Sequence, residues 1–177
     1  MEYGLLGETL GHSFSPQIHR ALAGYDYQLL PTPREAVEPL FRRRDFRGLN
    51  VTIPYKALAL ALCDEVSEEA KAIGAVNTVV NRGGRLFGYN TDFGGFRLLV
   101  RHRGVSLAGK TVLILGTGAT QCTVRAVCTA EGAAQVLCAS RSAKPGALRY
   151  EQAAARQDVN VIINASPAGM YPNNGIC

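Results

Sequence analysis

The part of the chain after Lys110 constrains the fold more than any other stretch, because short apolar segments alternate there with segments of helical pattern. The predicted strands are residues 111–115, 135–139 and 159–164, and the predicted helices end near Glu131 and cover residues 150–156. Gly116-Thr117-Gly118 lies between the first strand and the first helix. Strands that alternate with helices in this order form parallel sheets. The pattern therefore predicts the first half of a Rossmann-type dinucleotide-binding domain over residues 101–177.

The glycine turn predicts a nucleotide site. Gly116 and Gly118 would let a pyrophosphate approach the backbone N–H groups at the start of the helix, where Ala119 follows. The third small position of such a fingerprint is occupied by Gln121. A simple tight turn is therefore the alternative interpretation.

The segment after the second predicted strand indicates which nucleotide would bind. Residues 138–144 contain no Asp or Glu that could accept a hydrogen bond from a ribose 2′-hydroxyl. Ser140, Arg141, Ser142 and Lys144 instead supply hydroxyls and cations suited to a 2′-phosphate. We expect NADP as the cofactor, and a solvated loop arginine is the alternative.

The first hundred residues show a separate alternation of strands and helices, which predicts an N-terminal α/β domain over residues 1–100. The predicted strands are residues 3–6, 25–30, 49–52, 75–81 and 86–89, the last two joined at Gly83-Gly84. The predicted helices begin at Ser15-Pro16, Arg34, Pro54, Val66, and Thr91 or Asp92. The fold class is thus α/β, with an N-terminal α/β domain followed by a partial Rossmann-type domain.

Two loop segments in this first domain supply ionisable side chains. Residues 50–56 and 88–92 each follow an apolar stretch, so we expect both to leave strand ends and to direct Lys56 and Asp92 into a common cleft. A lysine beside a carboxylate can exchange a proton with a substrate hydroxyl or carbonyl. A surface lysine and a helix-capping aspartate are the alternatives.

Composition excludes several classes of function. The five cysteines form no CxxC pair and have no His-rich neighbours, so we expect no metal site. The net charge of +5 lies largely in Arg42-Arg43-Arg44 and Arg101-His102-Arg103. We expect both triplets at solvent-exposed helix ends, where cations favour the helix dipole, and an anionic partner is the alternative. No nucleic acid is expected. No apolar run approaches the roughly 20 residues of a membrane span, and no signal peptide is apparent. We expect no membrane partner and a cytoplasmic location.

Five motifs in one order closely resemble the shikimate dehydrogenase family. The motifs are His12-Ser13-Phe14-Ser15-Pro16, Asn50-Val51-Thr52-Ile53-Pro54-Tyr55-Lys56, Ala75-Val76-Asn77-Thr78, Gly88-Tyr89-Asn90-Thr91-Asp92 and Asn164-Ala165-Ser166-Pro167-Ala168-Gly169-Met170. The resemblance implies an oxidoreductase of the shikimate pathway, with reversible NADPH-linked reduction of 3-dehydroshikimate to shikimate in aromatic amino-acid biosynthesis.

The resemblance also implies roles for individual residues. Lys56 matches the catalytic lysine, with Asp92 beside it. The implied substrate-binding residues are Ser13, Ser15, Thr52, Asn77 and Asp92. The expected cofactor-binding residues are Gly116, Gly118, Ala119, Ser140, Arg141, Ser142, Lys144 and, beside the nicotinamide, Met170. Ala119 and Gln121 depart from the family's usual Gly-rich turn and are expected to crowd the phosphate loop.

The residues after the third predicted strand do not look like the natural end of a domain, and family members continue further. We therefore expect a C-terminally truncated member, with weak or no turnover by residues 1–177 alone and self-association through the incomplete Rossmann half. A non-catalytic shikimate-binding module and a quinate/shikimate dehydrogenase paralogue are the alternatives. The sequence leaves these alternatives open.

Overall fold

The computed structural model of the protein describes residues 2–11, 13–169 and 175. The chain divides into two compact units, Met1–Asp92 and Phe93–Cys177. The division falls within the first turn of one helix, Thr91–His102. Across the described residues, none of the helices is both long enough and apolar enough to cross a membrane.

The first unit is built on a six-stranded mixed sheet. Its strands are β1 Tyr3–Gly7, β2 Tyr27–Pro31, β3 Gly48–Val51, β4 Glu65–Val66, β5 Thr78–Arg82 and β6 Arg85–Tyr89, in the order β2-β1-β3-β5-β6-β4. Strand β1 pairs in parallel with β2 and β3, whereas β5 runs antiparallel to β3 and β6. The helices of this part of the chain are α1 Ser15–Ala23, α2 Arg34–Arg43, α3 Lys56–Leu62, α4 Glu68–Ile73 and α5 Thr91–His102.

Alternating side chains decide which face of this sheet is buried. Leu6, Leu49 and Val79 point into a core that also contains Val37 and Phe41 of α2, whose spacing of four residues places both on one helix face. The side chains between them on the same strands, such as Leu5 and Asn50, point to the other face and line a cavity there. The strand periodicity therefore separates the core from the face that carries the candidate site.

The second unit contains a four-stranded parallel sheet. Its strands are β7 Thr111–Leu115, β8 Gln135–Ser140, β9 Leu148–Arg149 and β10 Val161–Asn164, in the order β10-β7-β8-β9, and its further helices are α6 Ala119–Ala130 and α7 Tyr150–Ala154. Val112 and Ile114 of β7 pack with Val124 and Cys128 of α6 and with Cys138 of β8. This β-α-β arrangement confirms the predicted α/β fold class.

Local expectations were wrong at two helix starts, and one short strand was missed. Val66, expected in a helix, lies in β4, where it pairs with Gly88 of β6. Helix α4 begins only after Ser67, whose Oγ accepts a hydrogen bond from the Ala70 N–H at 3.3 Å. Helix α1 includes Ser15 rather than being capped by it, and its N-cap residue is Phe14. Strand β9 was not predicted at all, because two residues are too short for a periodic pattern.

Candidate functional site

The predicted ion pair forms in the first unit. Lys56 is the first residue of α3 and Asp92 lies in the first turn of α5. Lys56 Nζ donates a hydrogen bond to Asp92 Oδ2 at 3.0 Å. The lysine side chain is 27% exposed, so its ammonium lies partly shielded and still reachable by a ligand. The carboxylate orients the ammonium through this charge-assisted bond.

Asn90 determines how the helix that carries Asp92 begins. Its Oδ1 accepts the backbone N–H of Asp92 at 3.1 Å, and its Nδ2 donates to the carbonyl oxygen of Ala75 at 2.9 Å. The sequence predicted that Thr91 or Asp92 would cap this helix. Because Asn90 accepts the N–H instead, the carboxylate of Asp92 is left to pair with Lys56.

A cavity of about 790 Å³ lies beside the lysine. It is lined by Leu5, Thr9, Leu10, Gly11, Ser13, Ser15, Asn50, Val51, Thr52, Lys56 and Asn77. Five of the six residues predicted to touch a substrate therefore share one cavity, and Asp92 joins it through Lys56.

The two predicted serines are close enough to act on one ligand group. Ser13 Oγ donates to Ser15 Oγ at 3.1 Å and accepts the backbone N–H of Ser15 at 3.2 Å. Both serine side chains are only partly buried. When the two hydroxyls give up this bond to each other, each can rotate to donate one hydrogen bond to the oxygens of a ligand carboxylate.

Gly7, at the end of β1, allows two segments of the cavity wall to approach each other. A Cβ atom at this position would lie 2.7 Å from Leu10 Cδ2 and 2.7 Å from Thr52 Cγ2. Only a residue without a side chain lets the loop after β1 and the end of β3 approach this closely. The glycine therefore sets the position of Thr52 in the cavity wall.

Asn77 connects the cavity to several polar side chains that the sequence did not single out. It is 8% exposed, and its Oδ1 accepts the backbone N–H of Thr91 at 3.0 Å and the hydroxyl of Thr78 at 3.0 Å. Asn50 and Tyr27 continue this set of hydrogen bonds. The sequence signal that could have pointed to Asn50 was the polar pair at positions 50 and 52, because residues two apart at the end of a strand face the same side.

The glycine turn of the second unit has the open backbone that a phosphate needs. Gly116 has φ +111°, and a Cβ there would lie 2.9 Å from the carbonyl oxygen of Ala165. Gly118 is the N-cap of α6, and both it and Ala119 are exposed, with no side chain capping the helix. Gln121 does not point into the turn, because its Nε2 donates to Cys138 Sγ on β8 at 3.2 Å.

The predicted 2′-phosphate residues follow the end of β8. Ser140 is buried at the last position of the strand, and Arg141, Ser142 and Lys144 are exposed after it. Ser140 Oγ lies 3.5 Å from the hydroxyl oxygens of both Thr117 and Ser142, which connects this loop to the glycine turn. Met170 lies outside the described residues. The described part of the chain contains no group of three or more His, Cys, Asp or Glu side chains arranged to hold a metal ion.

Comparisons with known proteins show the family to which the chain belongs. The model of the shikimate dehydrogenase substrate binding domain matches residues 5–79. The chain is 36% identical to the shikimate dehydrogenase (NADP(+)) of Carboxydothermus hydrogenoformans, over 96% of this chain and 69% of that protein. The chain belongs to the shikimate dehydrogenase family.

Solved structures of family members extend the match to the second unit. Shikimate dehydrogenase 1 from Peptoclostridium difficile matches 100% of this chain and 71% of its own, at 35% identity and a TM-score of 0.80. Shikimate 5-dehydrogenase from Thermus thermophilus, solved in complex with NADP(H) and shikimate, matches 96% of this chain and 69% of its own, at 33% identity and a TM-score of 0.73. The chain thus spans about two thirds of the length of these relatives.

Proposed function

We propose that this chain carries the substrate and cofactor sites of an NADP-dependent shikimate dehydrogenase, which interconverts 3-dehydroshikimate and shikimate. The single observation that supports this most strongly is the Lys56–Asp92 pair at 3.0 Å beside a polar cavity. The relatives' names and the bound shikimate and NADP(H) of the Thermus thermophilus structure supply the chemical identities.

Lys56 carries the proton in this proposal. Reduction of a ring ketone places negative charge on its oxygen, and an ammonium within hydrogen-bond reach can donate the proton that neutralises it. In the reverse direction the same nitrogen accepts the proton of the ring hydroxyl. Asp92 orients Lys56 Nζ through the 3.0 Å hydrogen bond and offers its other carboxylate oxygen to a ring hydroxyl.

The remaining polar residues of the cavity fix the ring. Ser13 and Ser15 are a matched pair of hydroxyls for the carboxylate of the substrate, and the loop that holds them is bridged by their own 3.1 Å hydrogen bond. Thr52 and Asn77 line the same cavity and supply a hydroxyl and an amide for the ring hydroxyls. Residues 1–100 therefore form the substrate domain of the proposal.

The second unit fits the phosphates of a dinucleotide. Gly116 gives close backbone approach, the uncapped start of α6 offers free N–H groups, and Arg141 with Lys144 supplies positive charge without a competing carboxylate in the segment 138–144. When bound, NADP supplies or accepts the hydride. Residues 101–177 form the cofactor domain of the proposal, with Ser140 and Ser142 beside the 2′-phosphate.

The test compares Lys56→Met with Lys71→Met, since Lys71 also forms an ion pair, with Glu68 at 2.7 Å, but does not line the cavity. We expect NADP-dependent oxidation of shikimate, in a chain extended to the length of its relatives, to fall roughly 10²-fold or more in kcat for Lys56→Met only. Calorimetric shikimate binding should change much less. Near-normal turnover of Lys56→Met would refute the assignment, and faster turnover of quinate than of shikimate would favour the quinate dehydrogenase alternative.

A further inference from the structure

The carboxamide of Asn50 is held in one orientation by a series of hydrogen bonds. Asn77 Oδ1 accepts the backbone N–H of Thr91 at 3.0 Å, and a backbone N–H can only donate. The Thr78 hydroxyl donates its one proton to the same Asn77 oxygen at 3.0 Å. The Thr78 oxygen must therefore accept the hydrogen bond from Asn50 Nδ2, which lies 3.3 Å away. Asn50 Oδ1 is then left to accept the hydroxyl proton of Tyr27 at 2.7 Å.

The directions of these bonds decide what Asn50 presents to the cavity. An amide nitrogen carries two N–H protons, and Asn50 donates one of them in its hydrogen bond to Thr78. Asn50 lines both the 790 Å³ cavity and a second cavity of about 410 Å³ on the side of Tyr27. A fixed amide with its oxygen held by Tyr27 therefore offers an N–H donor, rather than a carbonyl acceptor, to a ligand in the larger cavity.

Tyr27 is itself held rigidly. Its ring is buried and stacks on the imidazole of His19, with the ring centres 3.9 Å apart and the planes 9° from parallel. His19 Nδ1 also lies 2.5 Å from the Tyr25 hydroxyl, a contact separate from the stacking of the two rings. Burial, and to a smaller extent the neighbouring Tyr25, raises the pKa of Tyr27 to about 12. The hydroxyl therefore keeps its proton near neutral pH and remains a hydrogen-bond donor.

We infer that Tyr27 is a positioning residue of the substrate site, which acts through Asn50 to direct an amide N–H at an oxygen of the bound ring acid. Tyr27 itself does not line the 790 Å³ cavity. The inference rests on the proposed function, because it specifies how the same cavity selects a ligand with an acceptor oxygen at that wall. An amide free to rotate would offer the wrong atom for part of the time, and ligand affinity would fall accordingly.

The decisive variant is Tyr27→Phe, which removes the hydroxyl and keeps the ring that stacks on His19. The matched control is Tyr25→Phe, which removes a hydroxyl from the same aromatic cluster but leaves the Tyr27–Asn50 hydrogen bond intact. Calorimetry with shikimate should give a dissociation constant about fivefold higher for Tyr27→Phe, the effect of one neutral hydrogen bond, and little change for Tyr25→Phe. Thermal unfolding of each variant shows whether the fold is retained.

A double-variant comparison separates positioning from a general structural effect. If Tyr27 acts through Asn50, Tyr27→Phe should not weaken shikimate binding further in a chain that already carries Asn50→Ala. An equal weakening in both backgrounds would overturn the inference.

The side-chain amide of Asn50 provides a readout that needs no substrate. In nuclear magnetic resonance spectra of the unaltered chain, its two Nδ2 protons should be well separated and protected from exchange with water. Tyr27→Phe should bring them together and speed their exchange, and Tyr25→Phe should not. Unchanged Asn50 signals in Tyr27→Phe would overturn the inference, whereas a chain that shows the predicted Asn50 signals but binds no shikimate would contradict only the proposed function.

Discussion

Asp64 shows how one carboxylate can connect distant parts of the first unit. Its Oδ2 accepts the backbone N–H of Leu86 at 2.7 Å, and its Oδ1 accepts Arg44 Nη2 at 2.9 Å. Arg44 also donates to the carbonyl oxygen of Gly84 in the β5–β6 turn. These hydrogen bonds, first from Leu86 and then from Arg44, hold the pKa of Asp64 below its usual range.

The lowered pKa gives a pH-dependent stability. A carboxyl with a pKa lower in the folded than in the unfolded chain stabilises the fold above its unfolded pKa of about 3.9, and that contribution is lost as the pH falls through the folded value. We expect Asp64→Asn to lower the melting temperature at pH 7, with the difference from the unaltered chain shrinking below about pH 4. Asp45→Asn is the control, because Asp45 is 57% exposed and its carboxylate forms a long ion pair with Arg43, at 3.4 Å. A difference that stays constant from about pH 7 to about pH 3 would contradict the prediction.

The residues of the candidate site differ in how far the sequence could predict them. Lys56 and Asp92 were predicted as a pair because each follows an apolar segment, and strand ends on one sheet lie near one another. The contact between Tyr27 and Asn50 could not be predicted, because it joins residues 23 positions apart with no local pattern to mark it. Asn90 was missed because three polar residues in succession, 90–92, can each cap a helix.

At the scale of helices and strands, periodicity and turn residues gave the long elements correctly. The predicted strand at 111–115 and the helix from Arg34 agree closely with β7 and α2, because β7 is a short continuous apolar run and α2 buries Val37, Leu40 and Phe41 at helical spacing. Gly83 and Gly84 form the predicted turn with φ of 59° and 85°. Strands β4 and β9 depend on pairing partners elsewhere in the chain, Gly88 for one and Ser140 for the other, so local patterns could not reveal them.

The turn between β7 and α6 yields a prediction about two neighbouring glycines. Gly116→Ala would force a side chain into a positive-φ position and against the carbonyl oxygen of Ala165, 2.9 Å away, so we expect the free energy of unfolding to fall by about 1–3 kcal/mol. Gly118→Ala is the control, because its φ is −84° and, apart from its chain neighbours, no atom of the described residues would crowd the added Cβ, so we expect a loss below about 1 kcal/mol. Urea denaturation of both variants measures this difference. Equal losses would show that Ala165 does not constrain position 116.

At the scale of the whole molecule, each unit has its own hydrophobic core. The first core centres on Leu6, Leu49 and Phe41, and the second on Val112 and Ile114. Strand β10 lies at an edge of the second sheet, with Ile162 63% exposed, and self-association through this unit stays a prediction. Each core is formed by helices and strands from one part of the chain. A substitution in one unit can therefore alter ligand binding there without disturbing the core of the other unit.

The net charge of the chain is +5, from 19 Lys and Arg against 14 Asp and Glu, so any anionic nucleotide is attracted to it in general. General attraction and a specific 2′-phosphate contact predict different results. Arg141→Asp and Arg103→Asp each lower the net charge by two, and both arginines are exposed. Only Arg141 follows the end of β8, where the 2′-phosphate is proposed to bind.

We therefore expect Arg141→Asp to weaken NADP binding about tenfold to hundredfold, the range for losing a charged hydrogen bond, and to leave NAD binding nearly unchanged. Arg103→Asp should weaken both nucleotides slightly and equally, and that small effect should disappear at high salt because long-range attraction is screened. Calorimetric titration of the three chains with NADP and NAD, at low and high ionic strength, measures both effects. Equal affinities of the unaltered chain for NADP and NAD would show that the cations after β8 do not read the 2′-phosphate, since only that group distinguishes the two ligands.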